Sequence, residues 1–72
     1  MKKARKSPEA LADEIAKSNR KLFTAKGQEW QGDVFYSTIN EYLRVEYGKH
    51  YPFDLYHAVT ERLRELGFLI HS

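Results

Sequence analysis

The sequence predicts a small α+β fold, mostly helical, in which three helices carry a minimal two-stranded sheet. Three observations predict it. Apolar residues recur at every third or fourth place in three separate stretches, residues 11–23, 35–47 and 55–66. A glycine follows each stretch, at Gly27, Gly48 and Gly67, where a left-handed residue commonly ends a helix. Two short segments remain, 28–31 around Trp30 and the apolar run 68–70, and both have the length of strands. The chain has 72 residues and no cysteine, so it supports one domain without disulfide or zinc-thiolate staples. A single core of this size supplies only about 3–5 kcal/mol.

The first helix starts at Ser7-Pro8-Glu9, which combines an N-cap serine, proline at the first helical position and an acid in the first turn. Leu11, Ile15, Ser18 and Leu22 continue it, with Ala12, Ala16 and Phe23 alongside, and Gly27 is its expected stop. Gly32-Asp33 reads as a break and an N-cap for the second helix, whose stripe is Phe35, Ile39, Leu43 and Tyr47. Pro52 disfavours helical geometry at Tyr51, which leaves Asp54 as the next N-cap. Leu55, Val59, Leu63 and Leu66 then form the stripe of the third helix. The expected core comprises Leu11, Ile15, Leu22, Phe23, Phe35, Ile39, Leu43, Leu55, Val59, Leu63, Leu66, Phe68 and Ile70.

Charge divides the chain unevenly. Residues 1–26 hold eight lysines and arginines against three acids, and residues 27–72 hold four against seven. A basic arm, residues 1–6 with Lys2, Lys3, Arg5 and Lys6, has the composition of a phosphate-contacting tail, because such cations release condensed counterions on nucleic acid. The same composition also suits a solvated terminus. The arm is expected to be disordered and residues 7–72 to form the single domain. No apolar run reaches the roughly 20 residues of a membrane span. Pro8-Glu9 stands where a signal peptide would carry its apolar stretch. A cytoplasmic location is therefore expected.

The second half of the chain resembles the winged helix–turn–helix superfamily. The resemblance rests on a helix, a turn with Pro52, and then Leu63, Leu66, Gly67, Phe68 and Ile70. These stand where many bacterial regulators of that superfamily end the recognition helix and enter the first wing strand. It covers roughly residues 33–70, and the strand around Trp30 would take the place of the small first strand. Two features depart from the pattern: no second wing strand follows residue 70 unless Trp30 supplies it, and the turn before the third helix is long. The resemblance implies a winged-helix-like domain with a truncated wing that binds DNA, of phage or bacterial regulator type and nucleoid-associated if so. Helix 54–66 would approach base edges with Tyr56, His57, Thr60 and Arg64, and the arm would follow the backbone or enter an adjacent minor groove. Glu61, Glu65 and Asp54 on the same helix oppose phosphate.

A second reading uses the same scaffold for protein binding, as an adaptor or inhibitor or in a homodimer. Tyr36, Tyr42, Tyr47, Tyr51 and Tyr56 fall within twenty-one residues, more hydroxyls than so small a core can satisfy. Tyr42 and Tyr47 suit rim packing. Tyr36, Tyr51 and Tyr56 are the expected contact surface, since tyrosine offers large area at low entropy cost.

Catalysis is not expected. The glycines are explained as punctuation, and no nucleophile has an arranged base. A chain this short also leaves little room for a typical substrate pocket. His50, His57 and His71 lack the spacing that places two imidazoles on one helix face. Neither a metal nor another cofactor is expected, nor a small-molecule substrate or a membrane.

Overall fold

The computed structural model describes residues 5–71. Three helices and a three-stranded sheet follow in the order α1 (Pro8–Asn19), β1 (Arg20–Ala25), β2 (Gln28–Phe35), α2 (Tyr36–Tyr47), α3 (Phe53–Glu65) and β3 (Phe68–His71). The fold is thus a small α+β arrangement, with one strand more than the sequence predicts.

Helix α1 begins as expected, with the Ser7 side chain accepting from the Ala10 N–H and proline in its first turn. It stops eight residues before Gly27. Arg20 turns extended (φ −66°, ψ 125°), and the Asn19 side-chain amide donates to the Ile15 carbonyl, satisfying one of the last-turn acceptors. Leu22 and Phe23, expected on a helical stripe, lie instead on β1, where Leu22 is 62% exposed and Phe23 half-buried. Their spacing fits both periodicities, and β-branched Thr24 with aromatic Phe23 and Trp30 favours the strand.

Strands β1 and β2 form an antiparallel ribbon in which Phe23 faces Trp30, Thr24 faces Glu29 and Ala25 faces Gln28. Lys26 and Gly27 make its two-residue turn with φ of 57° and 71°, the paired positive values of a type I′ hairpin. Gly27 is therefore a ribbon tip and not a helix stop. The register shifts by one residue between Arg20 and Phe23, a bulge of the kind that bends a strand.

Gly32-Asp33, expected to break the chain before the second helix, lies inside β2. Gly32 pairs with Arg20 on one side and with Phe68 on the other. A Cβ there would come within 2.6 Å of both the Asn19 carbonyl oxygen and the Phe68 ring, so only glycine fits the crossing of α1, β2 and β3. Strand alternation then turns Val34 inward and Phe35 outward. Val34 takes the core place expected of Phe35, which is exposed and stacks on the His71 ring with centroids 4.7 Å apart.

Strand β3 pairs with β2 in parallel, with Gly32, Asp33, Val34 and Phe35 opposite Phe68, Leu69, Ile70 and His71. The expected pairing of Trp30 with the terminal strand is thus displaced: Trp30 faces Phe23, and the residues that follow it meet β3. Helices α2 and α3 make the crossover between the parallel strands. Gly48 ends α2 and Gly67 follows α3, both at positive φ. The cap of α3 is Pro52, and Asp54 lies in the first turn instead of at the cap.

The core joins Leu11, Ala12, Ile15 and Ala16 of α1, Val34 of β2, Ile39 and Leu43 of α2, Val59 and Leu63 of α3, and Phe68 of β3. Leu55, Leu66 and Ile70, expected inside it, pack against its margin and are half-buried. The two α1 alanines let the helix approach closely, and Phe68 fills the space beside Gly32. The ribbon contributes only the inner end of β2 to this core.

Candidate nucleic-acid interface

The third helix carries the expected base-reading residues, and the structure sets them in unequal positions. Thr60 is only 3% exposed and its hydroxyl donates to the His57 carbonyl at 2.9 Å, so it faces the core and not solvent. Tyr56 is half-buried, and burial pushes its phenol above the ordinary range. His57 is exposed. Arg64 Nη1 lies 3.5 Å from Glu61 Oε2 on the same helix. Arg62 is held between Asp13 of α1 (3.2 Å) and Glu65 (3.6 Å). Exposed ion pairs of this kind contribute little to stability, but Arg64, the arginine expected to reach DNA, has a carboxylate beside it.

The basic arm is described only in part. Lys2 and Lys3 lie outside the described residues. Arg5 is exposed. Lys6 is anchored: its ammonium lies 3.3 Å from Glu14 and 3.7 Å from Glu46, its N–H donates to Glu46 at 2.7 Å, and its carbonyl accepts from the Tyr47 hydroxyl. The hydrogen bond to Glu14, and then the charges of Glu14 and Glu46, raise the Lys6 ammonium above its ordinary pKa.

The cations left without an ion pair among the described residues include Arg5, Arg44 and Lys49, and four more that run from the end of α1 into the ribbon. Arg20 and Lys21 are exposed on β1, Lys26 stands in the ribbon turn, and Lys17 occupies the last turn of α1 just before them. Against them the ribbon carries two acids, Glu29 and, at its inner end, Asp33, which lies 3.2 Å from the His71 imidazole. Lys17 and Arg20 share an open concavity of about 540 Å³ between α1 and α3, lined also by Asp13, Ala16, Arg62 and Leu66. The ribbon is stiffened across its strands. Trp30 pairs with Phe23, and its indole N–H donates to the Ala25 carbonyl at 3.2 Å, beside the turn.

Sequence reasoning missed this cluster because it placed residues 20–25 on a helix. Lys26-Gly27 at the midpoint between Phe23 and Trp30 was the signal that could have found it, since a two-residue turn ending in glycine, with aromatics at equal distance, marks a hairpin.

The tyrosines divide as well. Tyr36 and Tyr56 are in ring contact at 5.2 Å, and Phe53 stacks on Tyr56 at 5.6 Å. Tyr51 donates its hydroxyl to Asn40 at 2.6 Å, and burial raises its pKa. Tyr36 and Phe53 are exposed, so this cluster forms an aromatic face at the neighbouring N-terminal ends of α2 and α3. Tyr47 packs at the rim with its phenol raised by burial, and Tyr42 packs there too.

No group of three or more histidines, cysteines or carboxylates that could hold a metal occurs among the described residues. No helix there is long and apolar enough to cross a membrane. Comparison with protein-family models, with curated proteins and with solved structures gives no match, so the interface stands on its own geometry.

Proposed function

We propose that this chain is a small, non-enzymatic DNA-binding protein of regulator type that grips the duplex with the β1–β2 ribbon. One observation carries the reading: Lys17, Arg20, Lys21 and Lys26, on the last turn of α1 and along the ribbon that follows it, have no ion-pair partners among the described residues, whereas Arg62 and Arg64 of α3 are tied to carboxylates. A two-stranded β-ribbon fits the major groove of B-form DNA, and unpaired cations are those that exchange counterions with phosphate. In the helix–turn–helix reading, the helix α3, Gly67 and strand β3 succession supplies the scaffold. The ribbon then does the work that the superfamily resemblance assigns to a wing. The contact with α3 narrows to its exposed residues, His57 among them.

The test is fluorescence anisotropy of a labelled mixed-sequence duplex at about 50 and about 200 mM salt. Affinity should fall by orders of magnitude between the two. Changing Lys21 and Lys26 together to alanine should weaken binding at low salt and reduce the slope of log affinity against log salt by about 2, roughly 0.9 for each lost phosphate contact. An unchanged slope would remove the ribbon from the interface. No binding at low salt would sink the DNA reading and leave the aromatic face of Tyr36, Tyr51, Phe53 and Tyr56 as the contact surface for a protein partner.

A further inference from the structure

Of the large apolar side chains that stand exposed among the described residues, two are aliphatic: Leu22 at 62% and Val45 at 85%. Their surroundings are opposite in charge. Leu22 follows Arg20 and Lys21 on β1, on the ribbon that also carries Lys26. Val45 lies on a groove of about 250 Å³ between α1 and α2, with Leu11 and Tyr42 as its apolar walls and Glu14, Glu41 and Glu46 around it. Lys6 already spans Glu14 and Glu46 in that groove, and its backbone donates to Glu46 and accepts from Tyr47. A lysine, held by its ammonium and its backbone, is therefore a ligand this surface accepts within one molecule. Glu41 has no ion-pair partner among the described residues and remains for a second cation.

We infer that the ribbon of one copy docks in the α1–α2 groove of another, with Leu22 covering Val45 and the cations of β1 meeting Glu41 and the groove's rim. The two surfaces lie apart on the molecule. The groove takes Leu11 and Glu14 from the first turns of α1, whereas the ribbon leaves from that helix's other end. A copy that accepts a ribbon in its groove keeps its own ribbon free. The contact is thus heterologous, and it builds rings where the rotation between copies closes and open head-to-tail chains where it does not. It is small and rimmed by charge, so it belongs with weak, salt-sensitive associations. The inference does not depend on DNA binding, although both would use the same ribbon and would exclude each other.

Sedimentation velocity of the full chain without nucleic acid tests it. At about 50 mM salt the weight-average sedimentation coefficient should rise with protein concentration, and at about 500 mM salt the rise should vanish. Leu22→Asp disables the ribbon and Val45→Arg reverses the groove. Each variant alone should sediment as a monomer. Mixed in equal amounts they retain one native contact and should form dimers and nothing larger. Both positions are exposed, and far-ultraviolet circular dichroism checks that each variant folds. If Leu22→Asp does not fold, Leu22→Ser takes its place. Wild-type protein that stays monomeric at every concentration overturns the inference, as does association that survives either substitution, or a mixture that remains monomeric.

Discussion

The body and the ribbon of this molecule are built on different terms. In the body, every helix turns a stripe inward, and ten apolar side chains from α1, α2, α3, β2 and β3 close on one another. In the ribbon, Arg20, Lys21, Leu22 and Thr24 are all exposed, and a cross-strand aromatic pair with an indole hydrogen bond does the work of a core. The difference teaches that stability and the proposed binding fall to separate residues. A substitution in one region should leave the other's property largely alone, and each prediction below tests that separation.

The largest effect is expected at Phe68, fully buried beside Gly32 where the body and the inner end of β2 meet. Phe68→Ala should cost about 3–5 kcal/mol, comparable to all the stability a domain of this size usually has. The thermal melt should therefore lose its cooperative transition. A cooperative melt within a few degrees of the parent would show that β3 is not part of the core.

Next comes the alkaline limb. Burial raises the phenols of Tyr47, Tyr51 and Tyr56 above the ordinary value of 10.0. Below that value they are neutral in both folded and unfolded chains, and their contribution is complete. As pH climbs past it, the unfolded chain ionises first, so stability falls until the folded phenols ionise too. The urea midpoint should hold steady at neutral to mildly basic pH and decline above about pH 10. Tyr51→Phe should flatten that decline while lowering neutral-pH stability by about 1 kcal/mol through the lost bond to Asn40. An equally steep decline in the variant would place the ionising group elsewhere.

The smallest effect on stability belongs to the ribbon. The double change of Lys21 and Lys26 to alanine, which should weaken DNA binding, should move the urea midpoint by no more than about 0.5 kcal/mol equivalent. A larger loss would mean that these lysines support the fold, and the separation of the two regions would fail.

Legibility in the sequence follows the same division. Helix α3 and the glycine and strand after it could be read because Val59 and Leu63 repeat at one period over several turns, and nothing competes with that period. The start of α1 could be read from Ser7-Pro8. The ribbon could not, since Leu22 and Phe23 satisfy a helical stripe and a strand equally, and hydrophobic spacing alone does not choose between them. Phe35 was misplaced for a related reason. A strand runs into α2 without a break, so the period changes from 2 to 3.6 at that residue, and Val34 is the inward one. The candidate site was legible as composition and not as arrangement. The eight cations of the first 26 residues are visible in the sequence, but which of them are neutralised depends on distant contacts. Arg62 meets Asp13 across 49 positions, and Lys6 meets Glu46 across 40.

The parallel pairing of β2 with β3 bears on how this chain reaches its native state during synthesis. The ribbon needs only neighbouring residues and a two-residue turn, so it can close soon after its second strand leaves the ribosome. The body needs Phe68 against Gly32, thirty-six positions away along the chain, and such distant contacts are slow to find. Until residues 68–71 emerge, the nascent chain has the contacts to close its basic ribbon but not those that cover the apolar faces of its helices. The order of emergence thus makes the element proposed to bind the earliest part able to take shape and the domain that supports it the latest.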